Sequence, residues 1–152
     1  MAGHANLILD NLKAEKKAVP MIVVMPWGHA LPFGARPTEG QPSNNEMYER
    51  YLLNDVMPLV EAKYRAAPGR QNRAIMGLSM GGSQALQIAM GHLEQFGSLG
   101  VFGSGISRSD FDARYKSAIP ELGKQEKRLA VVFVGVGKLD AVAKRTKELS
   151  ET

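Results

Sequence analysis

The sequence predicts an α/β fold, in which a predominantly parallel sheet of about four strands has helices on both faces. Two observations support this prediction. Short apolar runs alternate along the chain with segments of helical periodicity, in a helix, strand, helix, strand order. A Gly-x-Ser-x-Gly pattern at residues 77–81 also lies between one of these runs and a helix-like segment. Such alternation is typical of parallel strands joined by right-handed crossovers.

The predicted strands centre on Val23, Ile75, Val101 and Val132. The run 21–25 is apolar throughout and is bounded by prolines, which is typical of a strand buried on both faces. A loop rich in proline and glycine follows it, at 26–45. Loops of about twenty residues inside compact domains are usually functional or mobile.

Helical periodicity predicts helices at 6–17, 46–64, 82–90 and 139–149, and residues 109–117 are expected to form a short polar helix or turn. Pro58 lies inside the second of these segments. It cannot donate the usual helical hydrogen bond, so we expect it to kink or restart the helix, with Asn54 or Asp55 capping the second piece.

Composition limits the classes of function. The chain has 152 residues, which suits a single domain over 1–152, and 44% apolar residues, which is ordinary for a globular protein. No apolar run approaches the ~20 residues of a membrane span. The absence of cysteine excludes disulfides and thiolate metal sites, and we expect no cofactor or metal.

The net charge of +4 is concentrated between residues 121 and 147. A basic patch can bind nucleic acid. Here the charges flank a predicted strand and a predicted helix, without a known nucleic-acid motif. We therefore expect a solvated surface, with neither nucleic acid nor a membrane as a partner.

The pattern around Ser79 predicts a catalytic nucleophile. A Gly-x-Ser-x-Gly at a strand-to-helix turn is the nucleophile elbow of α/β-hydrolases, where the serine hydroxyl is exposed in a strained turn. Glycines at 77, 81 and 82 would remove β-carbons that clash there. The backbone N–H of Met80 is the expected oxyanion donor, at a helix N-terminus that favours negative charge.

Asp140 is the expected catalytic acid. Serine, acid and histidine follow one another in this chain order in α/β-hydrolases, and Asp140 lies just past the last predicted strand. The alternative interpretation is that Asp140 caps the following helix. Asp110 and Asp112 are weaker candidates, because no strand immediately precedes them.

The histidines do not complete this unit. His92 is the only one after Ser79, and it is expected near the far end of the elbow helix. His29 follows the first predicted strand and could line a pocket, whereas His4 begins the chain. No histidine follows Asp140. The loop that normally supplies the second oxyanion donor is not found either.

Several stretches together resemble a known family. They are Ala5-Asn6 through Asn11-Leu12, Pro20-Met21-Ile22-Val23-Val24-Met25-Pro26, the decapeptide Gly77-Leu78-Ser79-Met80-Gly81-Gly82-Ser83-Gln84-Ala85-Leu86, and the segments Phe96 to Gly105 and Gly135 to Asp140. The chain resembles the putative-esterase branch of the α/β-hydrolases, and within it the feruloyl and acetyl-xylan esterases of carbohydrate esterase family 1. The S-formylglutathione hydrolases of this branch usually carry histidine in place of Leu78.

The resemblance implies a serine esterase that hydrolyses ester decorations of plant polysaccharide, with Ser79 as nucleophile and Asp140 as acid. Trp27 replaces the family's usual asparagine and, with His29, is expected to line the pocket. A related siderophore esterase or thioesterase, and a catalytically impaired core without its histidine, stay open as alternatives.

The resemblance also implies a partial domain. The family's first strands and oxyanion loop would lie before Met1, and its catalytic histidine beyond Thr152. Secretion is common in the family, although the N-terminus lacks a signal-peptide layout. We expect exposed apolar surface where the outer strands would pack, and hence a homo-oligomer or an aggregation-prone protein.

Overall fold

The computed structural model describes residues 4–32, 34–35, 37–124 and 128–151. Three parallel strands and the helices between them form its centre. In chain order the elements are α1 (Ala5–Ala14), α2 (Asn44–Tyr51), a π-helical segment (Leu52–Val56), α3 (Met57–Lys63), a 3-10 turn (Arg70–Asn72), β1 (Ala74–Leu78), α4 (Met80–Gly91), β2 (Ser98–Phe102), α5 (Arg108–Tyr115), α6 (Ile119–Leu122), β3 (Val131–Gly135) and α7 (Ala143–Ser150).

The strands lie in the order β1-β2-β3, and every pair is parallel. In the register, Leu78 lies beside Phe102, and Phe102 beside Gly135. The carboxyl ends of all three strands therefore meet at one edge of the sheet, where parallel α/β proteins carry their chemistry. The predicted α/β class, with its parallel sheet, is confirmed.

The core lies between one face of the sheet and helices α4, α5 and α7. Its buried members are Ala85, Leu86, Ala89, Met90, Leu99, Val101, Phe111 and Leu149. Helix α4 contributes half of them, because nearly all of its second and third turns are buried. This helix is thus held firmly against β1 and β2, and its N-terminus lies at the carboxyl edge of the sheet.

The other face of the sheet is open in the described part of the chain. Met76 and Leu78 of β1 are 67% and 71% exposed, and Val131 and Phe133 of β3 are 56% and 55% exposed. These four side chains share a face because side chains alternate along a strand. The helices expected over the second face are thus not seen among these residues.

The prediction of a strand centred on Val23 is wrong. Residues 21–25 form no ladder with another described strand, and their side chains are 43–56% exposed. A strand needs a neighbouring backbone about 4.8 Å away to take its hydrogen bonds. The apolar run indicated burial on both faces, but burial depends on layers that the run itself does not supply.

Pro58 does not restart the second helix. The segments α2, Leu52–Val56 and α3 follow without a break, and the residue before α3 is Val56 in helical conformation. The π-helical turn widens the helix just before Pro58, which is one way in which a helix accommodates a residue without an N–H. Asn54 and Asp55 lie inside this turn, so the expectation that either caps a new helix is wrong.

The last helix begins at Ala143, four residues later than expected, because Gly137 and Asp140 form turns first. Among the described residues, no helix is both long enough and apolar enough to cross a membrane.

Candidate active site

Ser79 lies in a strained turn between β1 and α4. Its backbone has φ 55° and ψ −118°, a conformation that residues with a β-carbon rarely adopt. Its N–H donates to the carbonyl of Phe102 at 2.8 Å, which ties the turn to the end of β2. Non-glycine residues in such conformations cluster at functional sites. The exposed side chain of Ser79 is therefore held at the carboxyl edge of the sheet.

The hydroxyl of Ser79 does not cap its helix. Ser43 and Ser107 stand at the N-terminal ends of α2 and α5, and each accepts a hydrogen bond from a backbone N–H of the first turn. Ser79 stands at the same place before α4, and its side chain makes no such bond. The positive φ turns the Ser79 hydroxyl away from the ordinary structural use of a serine at this position.

Two glycines make the turn sterically possible. A β-carbon at Gly77 would overlap the backbone of Gly81, and one at Gly82 would lie 2.8 Å from the Ser104 β-carbon. Gly81 is different, since a β-carbon there would meet nothing within 4 Å. The expectation that Gly81 avoids a clash of its own is wrong. The contribution of Gly81 to the turn is that its backbone approaches Gly77 closely.

Met80 is the first residue of α4, so its N–H belongs to the first turn, whose donors have no acceptor inside the helix. The positive end of the helix dipole adds to this donor. The arrangement can stabilise an oxyanion that forms beside Ser79.

Asp140 lies near the elbow, across Gly103. A β-carbon built on Gly103 would lie 3.1 Å from Leu78 Cδ1 and 3.7 Å from Asp140 Oδ2. Gly103 has φ 51°, and its N–H donates to the Gly135 carbonyl at 2.8 Å. Leu78, which precedes the nucleophile, and Asp140 thus approach the same glycine from the ends of β1 and β3.

The carboxylate of Asp140 has a partial structural role. Its Oδ1 accepts the N–H of Val142 at 3.0 Å, which closes a turn just before α7. It is not the residue that caps α7, because that position belongs to Val142. Oδ2 is the oxygen on the side of Gly103 and the elbow.

The two weaker acid candidates are used within α5. Asp110 Oδ2 accepts the hydroxyl of Ser107 at 2.7 Å, and Asp112 pairs with Arg108 at 3.0 Å. Both contacts are local to the first turns of the helix. Asp140 differs from them, since its Oδ2 lies on the side of Gly103, which Leu78 of the elbow also approaches.

A chain of polar contacts connects α4 with α7, and two of its members, Ser104 and Thr146, are buried. Ser83 Oγ and Ser104 Oγ lie 2.8 Å apart, and Thr146 Oγ1 donates to the Ser104 carbonyl at 3.0 Å. Gly105 permits this approach, since a β-carbon there would lie 2.5 Å from the backbone of Arg145. The helix that follows Asp140 is therefore packed against the loop that follows β2. No local pattern in the sequence indicates a role for Ser104 or Thr146.

Trp27 and His29 lie on the loop after residues 21–25. Their ring centroids are 5.8 Å apart at an interplanar angle of 42°, and Trp27 is 75% exposed. Gly28, between them, would bring a β-carbon to within 3.2 Å of Met80 Cε. The loop therefore lies against the residue that follows Ser79, and an exposed aromatic ring stands close to the elbow.

The other two histidines lie elsewhere. His92 ends α4, about 18 Å along the helix from Met80, and its Nε2 lies 2.8 Å from Glu49 Oε1. This confirms the expectation that His92 is remote from the nucleophile. His4 lies at the start of α1 with a positive φ and makes no side-chain capping bond.

The chain is similar to several known proteins. The family model described as "Putative esterase" matches residues 2–151. An endo-1,4-beta-xylanase/feruloyl esterase of Xylanibacter ruminicola is 33% identical over 137 residues, which are 89% of this chain and 17% of that protein. The chain thus spans only a small part of this relative.

Two solved structures of a CE1 ferulic acid esterase from Anaeromyces mucronatus are also similar. The one in complex with ferulic acid has a TM-score of 0.53 and 31% identity, over 64% of this chain and 37% of that chain. The one without substrate has a TM-score of 0.55 over 93% of this chain and 68% of that one, and at 22% identity it speaks for the fold alone. The family match covers nearly the whole sequence, so the chain belongs to the putative-esterase family.

Proposed function

We propose that this chain is a serine carboxylic-ester hydrolase of the feruloyl or acetyl-xylan esterase type, with Ser79 as its nucleophile. The observation that carries the proposal is the backbone of Ser79, at φ 55° with a side chain that does not cap α4. A serine kept in this conformation at the end of a parallel strand is suited to attack a carbonyl carbon.

In the proposed reaction, Ser79 Oγ attacks the ester carbonyl as a base removes its proton, and the alcohol leaves from the tetrahedral intermediate. Water then hydrolyses the acyl-serine. The N–H of Met80 would donate to the oxyanion, and Asp140 would orient the base and stabilise its positive charge. His92 is too remote to act as this base, because it is paired with Glu49 at the far end of α4.

The substrate class follows from the exposed aromatic ring near the elbow and from the relatives. Trp27 offers a flat apolar face, on which an aromatic acyl group or a sugar ring can stack. Two relatives are named for feruloyl or ferulic acid ester hydrolysis. We therefore propose an ester that joins a hydroxycinnamoyl or acetyl group to a polysaccharide, with no cofactor taking part.

A second candidate function is a catalytically impaired α/β-hydrolase core. The histidine positions favour it, since His92 is remote from Ser79 and His4 lies at the start of α1. Such a chain would bind an ester without hydrolysing it. Related siderophore-esterase or thioesterase activity differs only in substrate and is separated by a substrate panel.

The test is labelling with a fluorophosphonate, followed by mass spectrometry of the labelled peptide. We expect modification at Ser79, and none in Ser79→Ala. Ser43→Ala is the matched control, because Ser43 also stands before a helix but caps it. Labelling at another serine, or equal labelling of Ser79→Ala, would refute the nucleophile. Methyl ferulate, an acetyl ester and a thioester then distinguish the substrate classes.

Substrate binding without labelling would favour the impaired core.

A further inference from the structure

The carbonyl oxygen of Gly28 accepts side-chain hydrogen bonds from two different helices. Gln84 of α4 donates through Nε2 at 2.9 Å, and Asn44 of α2 donates through Nδ2 at 3.0 Å. Asn44 Oδ1 also accepts the N–H groups of Ala30 and Leu31, at 2.9 and 3.2 Å. Both amide side chains thus bind one short stretch of a loop that has no regular secondary structure of its own.

The burial of Gln84 indicates that this contact is specific. Gln84 is only 3% exposed, although glutamine is usually a surface residue. A buried amide is costly unless it is hydrogen-bonded, and its bond to Gly28 offsets this cost. Gln84 lies on α4, the helix that begins directly after Ser79, so its hydrogen bond fixes Gly28 relative to the nucleophile.

The loop also lies close to helix α4 at Gly28. A β-carbon on Gly28 would lie 3.2 Å from Met80 Cε and 3.3 Å from Gln84 Oε1. The absence of a side chain at Gly28 lets the backbone lie directly on the first turns of α4. Trp27 and His29 flank this glycine, so the position of their rings depends on how the Gly28 carbonyl is held.

We propose that Asn44 and Gln84 are positioning residues that hold the Trp27–His29 pair beside Ser79 as a platform for a flat ring of the substrate. This inference rests on the proposed esterase function. The ring has a face that stacks on an indole, and it belongs either to the aromatic acyl group or to the sugar. Neither Asn44 nor Gln84 takes part in bond making; both act through Gly28.

The first measurement follows Trp27 directly, because it is the only tryptophan of the chain. Gln84→Met removes the donor with an apolar side chain of similar size, and Asn44→Asp removes the donor but keeps the acceptor for Ala30 and Leu31. We expect the fluorescence anisotropy of Trp27 to fall in both variants, because the loop is released.

Gln87→Met is the matched control. Gln87 lies on the same helix and donates to Glu49 rather than to Gly28, at 2.9 Å. The fluorescence anisotropy of Trp27 in Gln87→Met should equal that in the unchanged protein. Thermal melting followed by circular dichroism checks that each variant is folded, and Asn44→Asp keeps the test valid if Gln84→Met does not fold.

The second measurement is ligand binding by calorimetry in the Ser79→Ala background, with methyl ferulate and xylotriose as the two probes. We expect the Kd of one probe to rise about fivefold in each positioning variant, as loss of one hydrogen bond predicts. If the affinity for methyl ferulate falls, the ring is that of the acyl group, and if the affinity for xylotriose falls, it is that of the sugar.

Unchanged anisotropy in both variants would overturn the inference, and so would unchanged affinity for both probes after the anisotropy has fallen. If the unchanged chain binds neither probe, the ring platform is refuted, whereas the nucleophile is still judged separately by fluorophosphonate labelling.

Discussion

A β-carbon at Gly77 would overlap the backbone of Gly81, although the two residues lie on opposite sides of the Ser79 turn. The chain thus reverses so tightly that the end of strand β1 and the first turn of helix α4 are in contact through their main chains. This contact is the structural condition for the exposed Ser79 hydroxyl.

The first prediction concerns these two glycines. Gly77→Ala should destabilise the protein by about 3 kcal/mol or more, because the clash is with backbone that cannot rotate away. Gly81→Ala should be neutral or stabilising by about 0.5 to 1 kcal/mol, since its β-carbon meets open space inside a helix. Urea denaturation measures both. Equal losses in the two variants would contradict the observed turn.

The second prediction concerns the strain at Ser79. Ser79→Gly should be more stable than the unchanged protein by about 1 kcal/mol, because glycine adopts φ 55° without strain, while any activity is lost. Ser43→Gly is the control, since Ser43 has φ −65° and loses a capping bond, so its stability should fall slightly. A Ser79→Gly protein that unfolds more easily than its parent would argue against the strain.

The third prediction concerns the histidines. We expect slow ester hydrolysis, because a serine that lacks its catalytic base loses orders of magnitude in rate. The rate should then fall no more than a few-fold in His29→Ala or His4→Ala. His92→Ala should lower the melting temperature by breaking the contact with Glu49, and leave hydrolysis unchanged. A hydrolysis rate that rises steeply with pH over the range in which histidine titrates, and that is lost in one of these variants, would identify the substituted histidine as the base.

The fourth prediction concerns pH. Hydrogen bonds from the backbone and side chain of Ser43 lower the pKa of Glu46 below its ordinary value of 4.5. The ionised carboxylate therefore stabilises the start of α2 above pH 4.5, and this contribution is lost as the pH falls through the lowered pKa. Glu46→Gln keeps an acceptor without a charge, so its melting temperature should depend less on pH below 4.5. Parallel pH profiles for both proteins would contradict this.

The fifth prediction concerns the open face of the sheet, formed by Met76, Leu78, Val131 and Phe133. Contiguous exposed apolar surface favours association, so we expect concentration-dependent oligomers in sedimentation velocity. Met76→Lys should shift the distribution towards monomer. Leu139→Lys is the control, because Leu139 is 97% exposed but lies outside this face. Monodisperse monomer at every concentration would refute the expectation.

Local patterns were sufficient to predict much of this protein from sequence. The glycines and serine of residues 77–81, between an apolar run and a helical segment, predicted the turn that the structure has. The alternation of elements predicted the parallel sheet, and the position of His92 near a helix end predicted its distance from Ser79. These features depend on steric and periodic rules that act within a few residues.

Tertiary structure decided the rest. The apolar run 21–25 has the composition of a buried strand, yet it has no pairing partner among the described residues, and pairing is a property of two segments. The amide of Gln84 binds a carbonyl 56 residues away, and Thr146 binds one 42 residues away. Contacts between such distant residues leave no local periodicity in the sequence. The sequence by itself therefore determined the shape of the elbow, whereas only the packing of α2, α4 and α7 decided what surrounds it.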